Sequence, residues 1–235
     1  MISYIKNLFY FYFVPSKERI TPFSIPSKIK SVFVFLLIQY LFAGIIIYFR
    51  QYLVLKNILS PLQYTKEMSV VVNSLFIAVL FAPLVEEVVF RLWIVYHKIS
   101  VSVSVTYVLL WLTGVTFQTP WFRTLIFTVF YILLFILIFT ALFFLLKKYE
   151  NQKIKTFWKK NQKIFIIISC MLFGAIHIGN YTGSNHSILY YFITFAPQVF
   201  FGFILCYMRI RMGFWTGFVT HFVNNFILLV LFKMI

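Results

Sequence analysis

Acidic residues are nearly missing from this chain. It has no aspartate and five glutamates, against 21 lysines and arginines. Charged residues of either sign make up only 11% of it, while 62% is hydrophobic. That balance excludes an ordinary soluble domain and points to a polytopic helical membrane protein. Cysteine is scarce as well: Cys170 and Cys206 both fall inside apolar runs, read as small core hydrophobes, and say little about redox compartment. The first apolar stretch, Leu8 to Val14, is short and lacks a small-residue cleavage site, so no cleavable signal peptide is expected. No internal repeat or low-complexity tract stands out. The net charge of +16 does not imply a nucleic-acid partner. Most Lys and Arg cluster between apolar runs, where they orient a protein in the bilayer.

What is present is a succession of apolar segments. A spanning helix needs about 20 such residues, and the pattern predicts an all-α bundle of about seven transmembrane helices. They run roughly Ser31 to Phe49, Met68 to Tyr96, Ser100 to Phe117, Thr124 to Leu146, Ile164 to Ile178, Ser187 to Tyr207 and Met212 to Leu231. Residues 1–30, with Pro15, Pro22 and Pro26, read as a basic interfacial arm. Residues 31–235 then form one transmembrane domain. With the N-terminus in the cytoplasm, inside segments hold 16 of the Lys and Arg residues and outside segments 5, so the N-terminus is expected inside and the C-terminus outside. An abundance of Phe, Ile, Lys, Tyr and Asn suggests an AT-rich genome, and hence a bacterial cytoplasmic membrane.

Against this background two of the five glutamates are conspicuous. Glu86 and Glu87 lie in the run Leu84-Val85-Glu86-Glu87-Val88-Val89-Phe90-Arg91, and ionisable groups at membrane depth mark a functional site by default. The other polar residues within spans are His177, in Phe173-Gly174-Ala175-Ile176-His177, and the pair His221 and Asn225. The spacing of four puts His221 and Asn225 on one helix face, and Gly213 and Gly217 on the same stripe would let a neighbouring helix approach. His97 and His186 fall at span ends or in loops. At about 1.5 Å per residue, Glu86 is about 18 Å from Lys98, His177 about 21 Å from Lys163 and His221 about 15 Å from Arg211. All three then reach the middle of a core about 30 Å thick.

Hydrolysis of a peptide bond by these groups would need an activated water and a stabilised oxyanion. Glu87 and Arg91, at i and i+4, can form an ion pair and are assigned to structure and charge compensation. Glu86 has no partner on its own helix and is the expected general base, acting with His177 on a water. His221 and Asn225 are expected to donate to the oxyanion. Pro83 removes one helical hydrogen bond, freeing the carbonyl of Val79. Glu86, His177 and His221 could instead ligate zinc with an open position for water. There is no His-Glu-x-x-His motif, and chemistry without metal or other cofactor is favoured.

Glu-Glu-x-x-x-Arg, then Phe-x-x-x-His, then His-x-x-x-Asn, in that order on membrane helices, resembles the CAAX-protease and bacteriocin-processing family (CPBP, also called Abi). These are intramembrane endopeptidases related to the type II CAAX prenyl proteases. The resemblance rests on Glu86, Glu87 and Arg91, on Phe173 and His177, and on His221 and Asn225. It implies an intramembrane endopeptidase with the same division of labour, acting on a membrane-associated protein or peptide. About eighty residues separate the first two motifs, more than in many members. Residues 100–163 therefore read as an inserted helical hairpin plus a basic cytoplasmic loop. Two rival readings use the same bundle without cleavage: a membrane immunity or partner-binding protein, and an ion-coupled transporter.

Overall fold

The computed structural model describes residues 2–13, 23–61, 63–65, 74, 76–112, 125–182 and 187–233. Helix α1 is Ile2–Phe13, α2 is Ile25–Leu55, and a π-helical segment covers Phe76–Phe81. It runs into α3, Ala82–Phe90, followed by a 3-10 turn at Leu92–Ile94. Then come α4 (Lys98–Leu112), α5 (Leu125–Tyr149), α6 (Gln152–Ile178), α7 (Ile188–Met212) and α8 (Phe214–Lys233). Pro15, Pro22, His186 and the expected span ends Met68, Phe117 and Thr124 lie outside the described residues.

The protein is all-α, as its composition requires. Four described helices are long and apolar enough to cross a membrane: Ile25–Leu55, Thr128–Tyr149, Gln152–Ile178 and Ile188–Met212. Two shorter apolar helices, Lys98–Leu112 and Phe214–Val230, and the broken segment carrying Glu86 complete about seven. The only strand pairing among the described residues is a two-residue antiparallel bridge, β1 (Gln63–Tyr64) with β2 (Tyr181–Thr182).

Two compact units partition the chain. The first comprises Met1–Glu87 and Lys163–Ile235. Its helices α7 and α8 pack on each other, on α2 and, through α8, on the π-helical segment. Gly174 marks a close approach of α6 to α7: a Cβ there would stand 2.4 Å from Val199 Cγ2 and 3.0 Å from Phe195 Cδ2. The N-terminal α1 is docked on the same core, with the Tyr12 hydroxyl donating to the Phe203 carbonyl at 2.5 Å. Tyr4 and Phe11 meet Phe35 and Tyr207 edge-on.

The second unit is Val88–Gln162. The Trp158 indole N–H donates to the Trp93 carbonyl at 3.0 Å, and Ser104 Oγ to the Val88 carbonyl at 2.6 Å. Glu150 is held between Lys98 at 2.9 Å and Lys155 at 3.4 Å. On α5, Phe130, Leu133, Ile136, Leu137 and Phe144 are exposed, an apolar surface fit for lipid.

Several boundaries differ from the sequence pattern, each for a local reason. Helix α2 begins at Ile25, inside the segment assigned to the arm. Ser24 caps it through the Ser27 amide, and Pro26 falls in the first turn, where its missing N–H costs nothing. The single helix expected from Met68 to Tyr96 is instead π-helical, α-helical and then 3-10, with α-helix ending at Phe90. The uniform rise assumed from Glu86 to Lys98 therefore fails, and with it the 18 Å depth. Gly213 terminates α7 at φ +99°, a conformation suited to glycine. It caps one helix rather than lining the next, so the distance of His221 from Arg211 is not one continuous rise either. For His177 the rise does hold, because α6 is unbroken from Lys163.

Candidate active site

Glu87 is completely closed off from solvent and His221 nearly so. His221 Nδ1 lies 2.9 Å from Glu87 Oε1, and its Nε2 lies 3.4 Å from Glu86 Oε2. One imidazole thus bridges two adjacent carboxylates. A carboxylate only accepts, so the Glu87 contact places a proton on His221 Nδ1. Glu86 differs from its neighbour in keeping 21% of its side chain accessible. One of the pair is locked inside, and the other is only partly covered.

Helix packing brings these groups together. Glu86 and Glu87 ride on α3, His221 on α8. Gly217, one turn before His221, clears the way: a Cβ there would sit 3.4 Å from Glu87 Oε2 and 3.6 Å from the Leu205 carbonyl of α7. Two aromatic rings pack against His221. Phe173 and Phe201 meet it edge-on, at centroid distances of 5.7 and 5.4 Å. Phe201 carries no sequence signal beyond being one of 32 phenylalanines, and only packing identifies it.

His177 joins through Phe173, whose ring touches both imidazoles, at 4.7 Å for His177. His177 Nδ1 is 2.7 Å from the Phe173 carbonyl one turn back. A carbonyl cannot donate, so Nδ1 carries the hydrogen, and in the neutral ring Nε2 is the acceptor nitrogen. Asn225, one turn after His221, donates from Nδ2 to the Ala78 carbonyl at 3.0 Å and accepts on Oδ1 from Asn224 Nδ2 at 3.2 Å. Arg91 lies just past the end of α3, fully buried, with its guanidinium 5.6 Å over the Phe90 ring. His97 is exposed.

Among the described residues no three His, Cys, Asp or Glu side chains are grouped to hold a metal ion. Both nitrogens of His221 already face carboxylate oxygens, whereas a zinc ligand must direct a lone pair at the metal. These side chains, as arranged, do not fit the ion.

Comparison with known proteins agrees with the resemblance seen in the motifs. Residues 144–227 match the family model described as Type II CAAX prenyl endopeptidase Rce1-like. The matched stretch contains Phe173, His177, His221 and Asn225, and Glu86 and Glu87 lie before it. No curated protein and no solved structure matches the chain.

Proposed function

We propose that this integral membrane protein is an endopeptidase that hydrolyses a peptide bond of a membrane-associated protein or peptide with a glutamate-activated water. At family level the match over residues 144–227 supports a CAAX-type intramembrane protease. The observation that carries the mechanistic reading is the bridging of Glu86 and Glu87 by His221, which gives two neighbouring carboxylates separate tasks.

Glu86, the accessible carboxylate, takes a proton from water as the oxygen attacks the scissile carbonyl. The acceptor Nε2 of His177 orients that water. As the tetrahedral intermediate forms, its oxyanion takes hydrogen bonds from His221 Nε2 and from an Asn225 Nδ2 hydrogen. For Nε2 to donate while Nδ1–H faces Glu87, the His221 ring must be imidazolium, and Glu87 supplies the compensating negative charge. Collapse of the intermediate breaks the C–N bond, and Glu86 returns its proton to the departing amine. No step passes through a metal. The N-terminus is assigned to the cytoplasmic side by the distribution of Lys and Arg.

Terminal peptide mapping of host membranes tests this, comparing wild type with Glu86→Gln at matched expression. A membrane-protein terminus present only with wild type establishes proteolysis and names the substrate. Identical maps, with the variant folded, would replace the protease with an immunity or partner-binding protein.

A further inference from the structure

The segment ahead of the two glutamates is π-helical over Phe76–Phe81. In that register each carbonyl receives the N–H five residues on. For Ala78 the donor would be residue 83, which is Pro83 and has no N–H. In that register the proline withholds the donor of the Ala78 carbonyl, whereas a regular α-helix would lose that of Val79. The structure supplies a substitute: Asn225 Nδ2 of α8 donates to it at 3.0 Å. On its other side the same amide is fixed by Asn224, which donates to Asn225 Oδ1 at 3.2 Å. The two contacts agree on which way the amide faces.

We infer that Pro83 is a positioning residue for Asn225: by withholding an N–H it leaves the Ala78 carbonyl open to hold the Asn225 amide in its working orientation. An amide nitrogen carries two hydrogens. One is held by Ala78, and the second is aimed by that anchor. Pro83 is itself buried and sits three residues before Glu86, so one backbone defect ties the glutamate-bearing segment to the oxyanion donor on α8. The kinetic part of this inference rests on the protease reading; the linkage between Pro83, Ala78 and Asn225 does not.

The test restores the missing donor. Pro83→Ala and Pro83→Ser each supply an N–H that competes for the Ala78 carbonyl. Full-length protein labelled with 15N-asparagine is observed in detergent micelles, and the Asn225 side-chain amide is assigned by its loss in Asn225→Asp. In wild type one Asn225 Nδ2 proton should be deshielded and protected from solvent exchange. In both proline variants it should move upfield and lose protection, while thermal stability holds or rises because a helix-interior proline has been removed. The rate of forming the Glu86-dependent terminus in host membranes should then fall about tenfold, less than the loss of a whole oxyanion donor. An amide signal unchanged by Pro83→Ala and Pro83→Ser would overturn the inference. So would a displaced amide with an unchanged rate, or a rate loss accompanied by falling stability. Should wild type form no such terminus, the protease reading fails, and the amide signal alone decides the linkage.

Discussion

Glu87 Oε1 and His221 Nδ1 stand 2.9 Å apart, with the glutamate wholly buried and the histidine nearly so. They are 134 residues apart in sequence, and neither residue's pattern names the other. The contact distinguishes two adjacent glutamates: Glu87 is wholly buried beside the imidazole, while Glu86 keeps 21% of its side chain accessible.

Replacing Glu87 should damage the fold more than replacing Glu86. Glu87→Ala strands a buried imidazole, and breaking a buried pair costs about 3–5 kcal/mol. Thermal unfolding of the purified protein should show a large fall for Glu87→Ala and a small one for Glu86→Gln. Equal stability losses would mean that His221 does not depend on Glu87.

Activity should depend on Glu86 far more than the fold does. Glu86→Gln keeps size and shape but cannot accept a proton, so formation of the mapped terminus should drop by about 10²–10⁴. Quantitative peptide mapping at matched expression reads this directly.

Chelation should leave activity intact. The described donors do not fit zinc, so prolonged treatment of the native enzyme with excess chelator should not slow cleavage. A complete loss reversed by zinc would show that the working site rearranges His221 away from its two carboxylates.

Helix contact at Gly174 should tolerate no side chain. A Cβ would meet Val199 Cγ2 at 2.4 Å, and overpacking of this kind costs about 1–3 kcal/mol. Gly174→Ala should lower the unfolding temperature, whereas Gly44→Ala, whose Cβ would meet nothing within 4 Å, should not.

Acidification should open the clasp at Glu150. Its hydrogen bond from Lys98, with help from Lys155, holds this carboxyl below its ordinary value despite some desolvation. A carboxyl depressed on folding contributes stability above its unfolded value and loses it as pH falls through the folded one. The protection factor for hydrogen exchange at the α5–α6 turn, taken relative to the intrinsic rate at each pH, should therefore stay high near neutrality and fall below the usual carboxylate range. In Glu150→Gln that pH dependence should disappear.

Much of the molecule was legible in the sequence because the bilayer leaves few choices. Backbone polar groups in lipid must be satisfied within helices or closed barrels, so long apolar runs sufficed to give an all-α bundle of about seven spans. The residues of the three motifs were legible for the same reason, since a polar group inside an apolar run needs an explanation. Boundaries were less so. Pro26 marks a helix start and Gly213 a helix end, yet the apolar pattern alone assigns each to a different element. Hydropathy registers solvent, not the cap of a single turn.

Composition and periodicity thus determined the membrane class, the helices and the residues worth watching: Glu86, Glu87, His177, His221 and Asn225. Tertiary structure alone decided their pairing. His221 lies between both glutamates, Phe173 touches both histidines, and Asn225 holds a carbonyl that a π-helical register, unseen in the sequence, had left open at Ala78. Hydropathy acts residue by residue and can be read along a chain. A hydrogen bond needs two groups within about 3 Å, and which helices approach that closely is set by packing at small residues such as Gly174 and Gly217.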